Sequence, residues 1–165
     1  MEASLALPKE PGPIVVDIRP MAWGDLHEVQ VIEEAVFPTP WPRSVFLHEI
    51  RYNRQATMVV ARLVDRRRYP GVVGYAGFWT AADEMHVTTL AVHPRFQRGG
   101  IARQLMDQCF DEARALGCTE ATLEVRETNT AAQRLYSSYG FVVEGRRARY
   151  YGDGEDALIM TLEKL

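Results

Sequence analysis

Met85 to Arg126 reads MHVTTLAVHPRFQRGGIARQLMDQCFDEARALGCTEATLEVR, and the order of elements inside this stretch decides the fold. Met85 to Val92 is rich in β-branched residues and reads as a strand. His93-Pro94 ends it, because the residue before a proline is pushed out of the helical region. After a glycine-containing turn, Ile101, Leu105, Cys109, Ala113 and Leu116 recur at helical steps, which predicts a helix over about 99–116 with that face in the core. Gly117 supplies the stop. Ala121 to Arg126 then alternates Leu123 and Val125 with Thr122, Glu124 and Arg126, the pattern of a half-buried strand. Glu124 thus points away from its apolar neighbours. Strand, helix and strand in succession predict a right-handed crossover between parallel strands.

Working outward, Ile14 to Ile18 is a short β-branched run ended by Pro20, and Met21 to Phe37 places Trp23, Leu26, Val29, Ile32 and Val36 at helical spacing. Phe37-Pro38-Thr39-Pro40-Trp41-Pro42 stops that helix, since each proline lacks a donor and restrains the residue before it. A second helix is predicted from about Ser44 to Arg51. Ala56 to Val64 and Val72 to Thr80 read as an antiparallel hairpin across the polar connection from Asp65 to Gly71. Downstream, Asn129 opens a helix through Tyr139 that ends at Gly140. Two last strands, about Phe141 to Tyr150 and Asp156 to Glu163, join through Gly152-Asp153-Gly154. The order β α α β β β α β α β β, with hairpins at both ends, predicts the α/β (α+β) class with a mixed sheet.

A chain of 165 residues, 47 % of them apolar, fits one domain. Residues 1–13, with Pro8, Pro11, Gly12 and Pro13, read as a leader outside the core, leaving 14–165 as that domain. The formal charge of −3 and a pI near 5.8 argue against direct nucleic-acid binding. The longest apolar run, Val72 to Trp79, is far short of a membrane span. A basic flank that would mark a secretory signal is missing at the start. Cys109 and Cys118 have no ligand spacing, and His27, His48, His86 and His93 are scattered. A cytoplasmic protein with two free thiols and no metal is the expectation.

Gln97-Arg98-Gly99-Gly100-Ile101-Ala102 lies between the end of a strand and the start of the long helix. There the unpaired amides of the first helical turn and the positive end of the macrodipole favour a phosphate or pyrophosphate. Gly99 and Gly100 are read as letting the backbone approach such a group closely. Six residues of this kind also make an ordinary glycine-assisted helix start. Neither the ATP loop G-x-x-x-x-G-K-[ST] nor the dinucleotide G-x-G-x-x-G is present.

This turn resembles the [Q/R]-x-x-G-x-[G/A] pyrophosphate loop of the GCN5-related N-acetyltransferase (GNAT) superfamily, and it follows a strand ending Leu90-Ala91-Val92-His93-Pro94, as in that family. Thr122 to Arg126, Asn129 to Tyr136, Tyr139-Gly140-Phe141, Arg146 to Tyr151 and Gly154 to Met160 resemble its bacterial ribosomal-protein-alanine N-acetyltransferases. The likeness runs from about Ile14 to Leu162. Two departures stand out: Gly99 replaces a commonly basic or polar residue and is expected to weaken phosphate affinity, and Ala102 replaces the commoner Gly.

The resemblance implies an acetyl-CoA site in a GNAT fold whose two parallel central strands splay apart, so that the fork between 88–92 and 121–125 admits the thioester. Main-chain groups of Leu90, Ala91 and Val92 would pair with the pantetheine arm. Gln97, Arg98, Gly99, Gly100, Ile101, Ala102 and Arg103 would hold the pyrophosphate, and Asn129 would contact the cosubstrate.

An α-amino group, with a reference pKa of about 7.7–8.0, is mostly protonated near neutrality and cannot attack a thioester until a base takes that proton. Glu124 is the expected base, through a water, provided partial burial raises its pKa. On pattern alone it is a solvent-facing residue of an alternating strand. Tyr136 offers a hydroxyl that would protonate the leaving thiolate, or else it is a packing aromatic. A backbone N–H near Val92 would stabilise the carbonyl oxygen. A ping-pong route through Cys109 or Cys118 is disfavoured, since the first lies in the core stripe and the second follows a turn.

Phe37 and Trp41 on one side and Tyr150 and Tyr151 on the other are expected to frame a peptide entrance at the fork. Each of them could equally staple helices or pack in a hairpin. The expected acceptor is a protein N-terminus, foremost that of the alanine-starting small-subunit ribosomal protein eighteen. Other N-termini, small amines, and an acyl-CoA-binding module without turnover remain as alternatives.

Overall fold

A computed structural model describes residues 13–165. The expected leader, Pro13 apart, lies outside the described residues. Seven strands form one sheet: β1 (Val16–Pro20), β2 (Ala56–Leu63), β3 (Val72–Ala81), β4 (Glu84–Val92), β5 (Glu120–Arg126), β6 (Val142–Arg147) and β7 (Ala157–Leu162). Their spatial order is β1-β2-β3-β4-β5-β7-β6, and every neighbouring pair is antiparallel except β4 and β5. The helices are α1 (Leu26–Val36), α2 (Arg43–Arg51), α3 (Ile101–Ala115) and α4 (Thr130–Ser138).

The alternation of side chains along the strands builds two cores. Met58, Val60, Val72, Tyr75 and Ala91 face Leu26, Val29 and Ile32 of α1 and Phe46 of α2. Val59, Ala61, Val73 and Leu123 face the Ile101, Leu105, Cys109 and Ala113 stripe of α3 on the opposite side. The crossover through α3 is what lets β4 and β5 run parallel.

Several expectations shift. The first strand begins at Val16, not Ile14, and runs through Pro20, which an edge strand tolerates because it need not donate there. Trp23 is not in the helical stripe: it sits in a 3-10 turn and is 69 % exposed. The Asp25 carboxylate accepts the Ala22 N–H (2.8 Å) and pairs with Arg19 and Arg62, which turns the chain there and delays α1 to Leu26. Leu116 is likewise exposed, because α3 ends at Ala115 and the stripe loses its phase. Arg126, expected on the polar side of its strand, is buried.

The sheet is split at its centre. β4 pairs with β5 only from Glu84 to Val87 against Glu120 to Leu123. Thr88 then forms a bulge, since Val87 pairs with Phe78 and Thr89 with Gly77 on β3. Past it β4 continues with β3 alone, while Glu124 to Arg126 continue with Ile159 to Ala157 of β7. The fork therefore opens between 88–92 and 124–126. Residues 121–123, expected in its arm, belong to the paired stem, because splaying starts only where the bulge breaks the ladder.

Candidate active site

The fork leads into a cavity of about 540 Å³. Its floor is made by His86 to Leu90 of β4 and Leu123 to Arg126 of β5. Phe37, Thr39 and Trp41 of the proline-rich connection line one side; Tyr150, Tyr151 and Gly152 of the turn between β6 and β7 line the other. Asn129, Ala132 and Tyr136 come in from α4. Of the residues singled out from sequence, Glu124, Tyr136, Leu90, Asn129, Phe37, Trp41, Tyr150 and Tyr151 meet in this one space. Ala91 and Val92, with the 97–103 turn, lie beyond it at the end of β4 and the start of α3.

Gly100 stands at φ +80°, the left-handed region, and opens α3. The main-chain N–H groups of Arg98 through Arg103 have no acceptor among the described residues, leaving a run of unpartnered donors at a helix N-terminus. Gln97 does not face those donors: its amide donates to the Val92 carbonyl (3.1 Å) and ties the turn to β4. Gly99 has a different role from the one read in the sequence. A Cβ there would fall 2.5 Å from Ile14 Cδ1, and the Ile14 N–H donates to the Gly99 carbonyl (2.9 Å). The space that glycine leaves is filled by Ile14, not kept for a ligand. Ile101 is buried in the core, Ala102 packs on its edge, and the Arg103 guanidinium turns to Ser138 Oγ (2.7 Å) over the Tyr139 ring. Asn129 caps α4 by accepting the Ala132 N–H (3.1 Å).

At the fork, Glu124 Oε2 lies 3.0 Å from His86 Nε2 and Oε1 lies 3.7 Å from the Arg147 guanidinium. Its side chain is 11 % exposed. Burial does not win here: the hydrogen bond from His86 holds the carboxyl below its usual range, overriding the opposing desolvation. The expectation of a raised pKa is therefore corrected. Tyr136, on α4, is buried against Phe141 and lines the cavity, and its hydroxyl has no hydrogen-bond partner among the described residues. Burial pushes its pKa well above the ordinary phenolic value, so it keeps its proton near neutrality. Cys109 and Cys118 are both buried, and burial pushes the Cys109 thiol up to about 12, which leaves little thiolate for a covalent route.

Three residues that shape the cavity escape a linear reading. His86 pairs with Glu124 because the two sit on one sheet face: His86 is opposite Thr122, two residues before Glu124. Glu33, buried in α1, accepts the Trp41 N–H (2.9 Å) and the Tyr75 hydroxyl, so it anchors one wall of the cavity. Arg126 donates to Asp153 (2.8 Å), Glu155 (2.7 Å) and Thr39 Oγ1 (2.6 Å), and its guanidinium stacks 4.1 Å from the Tyr151 ring centre. It clamps both walls. The alternation of β5 was the only signal for Arg126, and it pointed outward.

Replacing Arg126 with Ala removes these charge-assisted bonds and should lower unfolding stability by about 2 kcal/mol, read by urea denaturation. An unchanged midpoint and slope would contradict the clamp.

Residues 26–141 match a family model described as "Acetyltransferase (GNAT) family". The [ribosomal protein bS18]-alanine N-acetyltransferase of Haemophilus ducreyi is 32 % identical over 142 residues, covering 84 % of this chain and 93 % of that protein. The enzyme of the same name from Escherichia coli K12 is 33 % identical over 141 residues, with 84 % and 90 % covered. A crystal structure of the Escherichia coli ribosomal-protein alanine N-acetyltransferase superposes with a TM-score of 0.78 at 29 % identity, spanning 92 % of this chain and 96 % of that one.

Proposed function

Because the chain belongs to the GNAT acetyltransferase family, we propose that it moves the acetyl group of acetyl-CoA directly onto the α-amino group of an alanine-starting protein N-terminus, that of ribosomal protein bS18. The observation that carries this reading is the fork itself. One cavity holds an ionised Glu124, a protonated Tyr136 and aromatic walls from two loops, and a nest of unpartnered amides lies at the neighbouring helix start.

Acetyl-CoA enters as substrate, its pyrophosphate on the amides of 98–103 and its pantetheine arm along Leu90, Ala91 and Val92, with Asn129 alongside. The acceptor's first residue arrives between Phe37 and Trp41 on one wall and Tyr150 and Tyr151 on the other. Glu124 removes a proton from the ammonium, and the free amine attacks the thioester carbonyl, whose oxygen is stabilised by a backbone N–H near Val92. On collapse Tyr136 gives its proton to the departing thiolate, the nitrogen sheds its second proton to solvent to leave the neutral amide, and the phenolate regains a proton from solvent. Residues 14–165 act as one catalytic domain in the cytoplasm. The names of the curated relatives support the acceptor, and among the described residues no helix is long and apolar enough to cross a membrane.

The test offers acetyl-CoA with three acceptors: a peptide beginning with alanine, an N-terminally blocked peptide containing lysine, and a polyamine. CoA release with the first alone is the expected result. Release with the lysine peptide or the polyamine but not with the alanine peptide would overturn it.

A further inference from the structure

His86 stands in the last paired stretch of β4, and Glu124 is the first β5 residue beyond it. Their side chains bond across the point where the strands part, at 3.0 Å from Nε2 to Oε2. The imidazole is also held from behind. Trp79, directly opposite on β3, has its ring centre 6.1 Å away at an interplanar angle of 34°, and its own indole N–H is fixed on the buried Glu49 carboxylate. Nδ1, the second ring nitrogen, has no partner among the described residues, and the side chain is 28 % exposed to the cavity.

We propose that His86 is the partner in which the amine's proton comes to rest, so that His86 and Glu124 work as a single proton acceptor at the fork. The assignment rests on the acetyltransferase reading above. In the resting pair a neutral imidazole donates from Nε2 to the carboxylate, and the net charge is −1. The ammonium gives up one proton to the pair, by way of Glu124 and solvent, and becomes a neutral amine. The pair becomes an imidazolium facing a carboxylate, net charge zero, with the Nε2–H bond kept and the new proton on Nδ1.

The alternative, in which Glu124 keeps the proton, runs strongly uphill. The hydrogen bond from His86 holds the Glu124 carboxyl below its usual range, which makes it a still weaker acceptor for the proton of an α-amino group, whose reference pKa is about 7.7–8.0. As a chemical class, an imidazole is a stronger base than a carboxylate and has a second ring nitrogen to take a proton. His86 is thus a positioning residue for Glu124 and the seat of the proton. The other charged and titratable groups around the pair are Arg147 from β6, Arg126 from β5, Tyr136 from α4, Tyr150 and Tyr151 from the turn after β6, Glu49 from α2 behind Trp79, and Glu33 from α1.

The pair accepts only while it is unprotonated, so kcat falls as pH drops through the apparent pKa of the pair, which belongs to both groups together. The test compares the full chain with His86→Gln, whose amide can still donate to Glu124 but does not titrate, and with His86→Ala. The readout is kcat against pH with the alanine-starting peptide, and acetyl-CoA affinity by calorimetry reports folding. His86→Gln is expected to lose about ten- to a hundredfold in kcat near neutrality and to shift the acid limb at least about one pH unit lower, at unchanged acetyl-CoA affinity. Full activity and an unmoved limb in His86→Gln, with loss only in His86→Ala, would assign His86 a purely structural bond and overturn the proposal. Absence of turnover by the parent chain would overturn the acetyltransferase reading and this assignment with it, whereas parental turnover with identical profiles defeats this assignment alone.

Discussion

Glu124→Gln is expected to lower the single-turnover rate of acetyl transfer by about 10²–10⁴-fold while acetyl-CoA affinity stays within about twofold. Gln keeps the volume and can still meet the His86 N–H, so the 3.0 Å contact survives and only the negative charge is lost. With that charge gone the amine's proton has no carboxylate to leave through, and an ammonium has no lone pair. The turn at 98–103 that would hold the pyrophosphate leads into α3 and lies outside the cavity that contains Glu124, which is why binding should be spared. A rate within about threefold of the parent, at saturating peptide, would remove Glu124 from the reaction path.

Tyr136→Phe is expected to slow the chemical step by about 10²-fold or more with little change in acetyl-CoA binding. The substitution deletes one oxygen from a buried ring that packs on Phe141 and borders the cavity, and no hydrogen bond within the described residues depends on it. The protein should therefore unfold at nearly the same denaturant concentration. A thiolate leaving without a proton donor is the step that suffers. A small effect with the acetyl thioester would be decisive against the role. So would an equal effect with an acyl donor whose leaving group is already a stable anion, because neither depends on a donated proton.

Much of this was legible in the residues, for a physical reason. Strands and helices are set by local periodicity and by the prolines and glycines that punctuate it, so the order of elements and the parallel crossover through α3 follow from the sequence. The cavity walls at Phe37, Trp41, Tyr150 and Tyr151 also came out together, because the turns that carry them are bounded by Pro and Gly. What failed was pairwise and distant. The lowered pKa of Glu124 depends on His86, which is remote in sequence and becomes a neighbour only through strand register. Arg126 escapes the pattern because alternation says which way a side chain leaves a strand and nothing about Asp153 and Glu155 waiting to bury it. The true occupant of the space at Gly99 is Ile14, 85 positions earlier, which no local pattern reveals. The fork itself needed a bulge at Thr88 that no residue type announces.

The seat of Ile14 against Gly99 is also a tether. The segment that enters the first strand meets the turn proposed to hold the pyrophosphate through a carbonyl and a packing surface, and Gln104 adds a second knot by donating to the Ile14 carbonyl and accepting from Val16. Substitutions at these two distant positions must travel together, a bulkier residue at one demanding a slimmer one at the other. Stiffening of the turn by its anion would then reach the outermost strand of the sheet and make it harder to peel away.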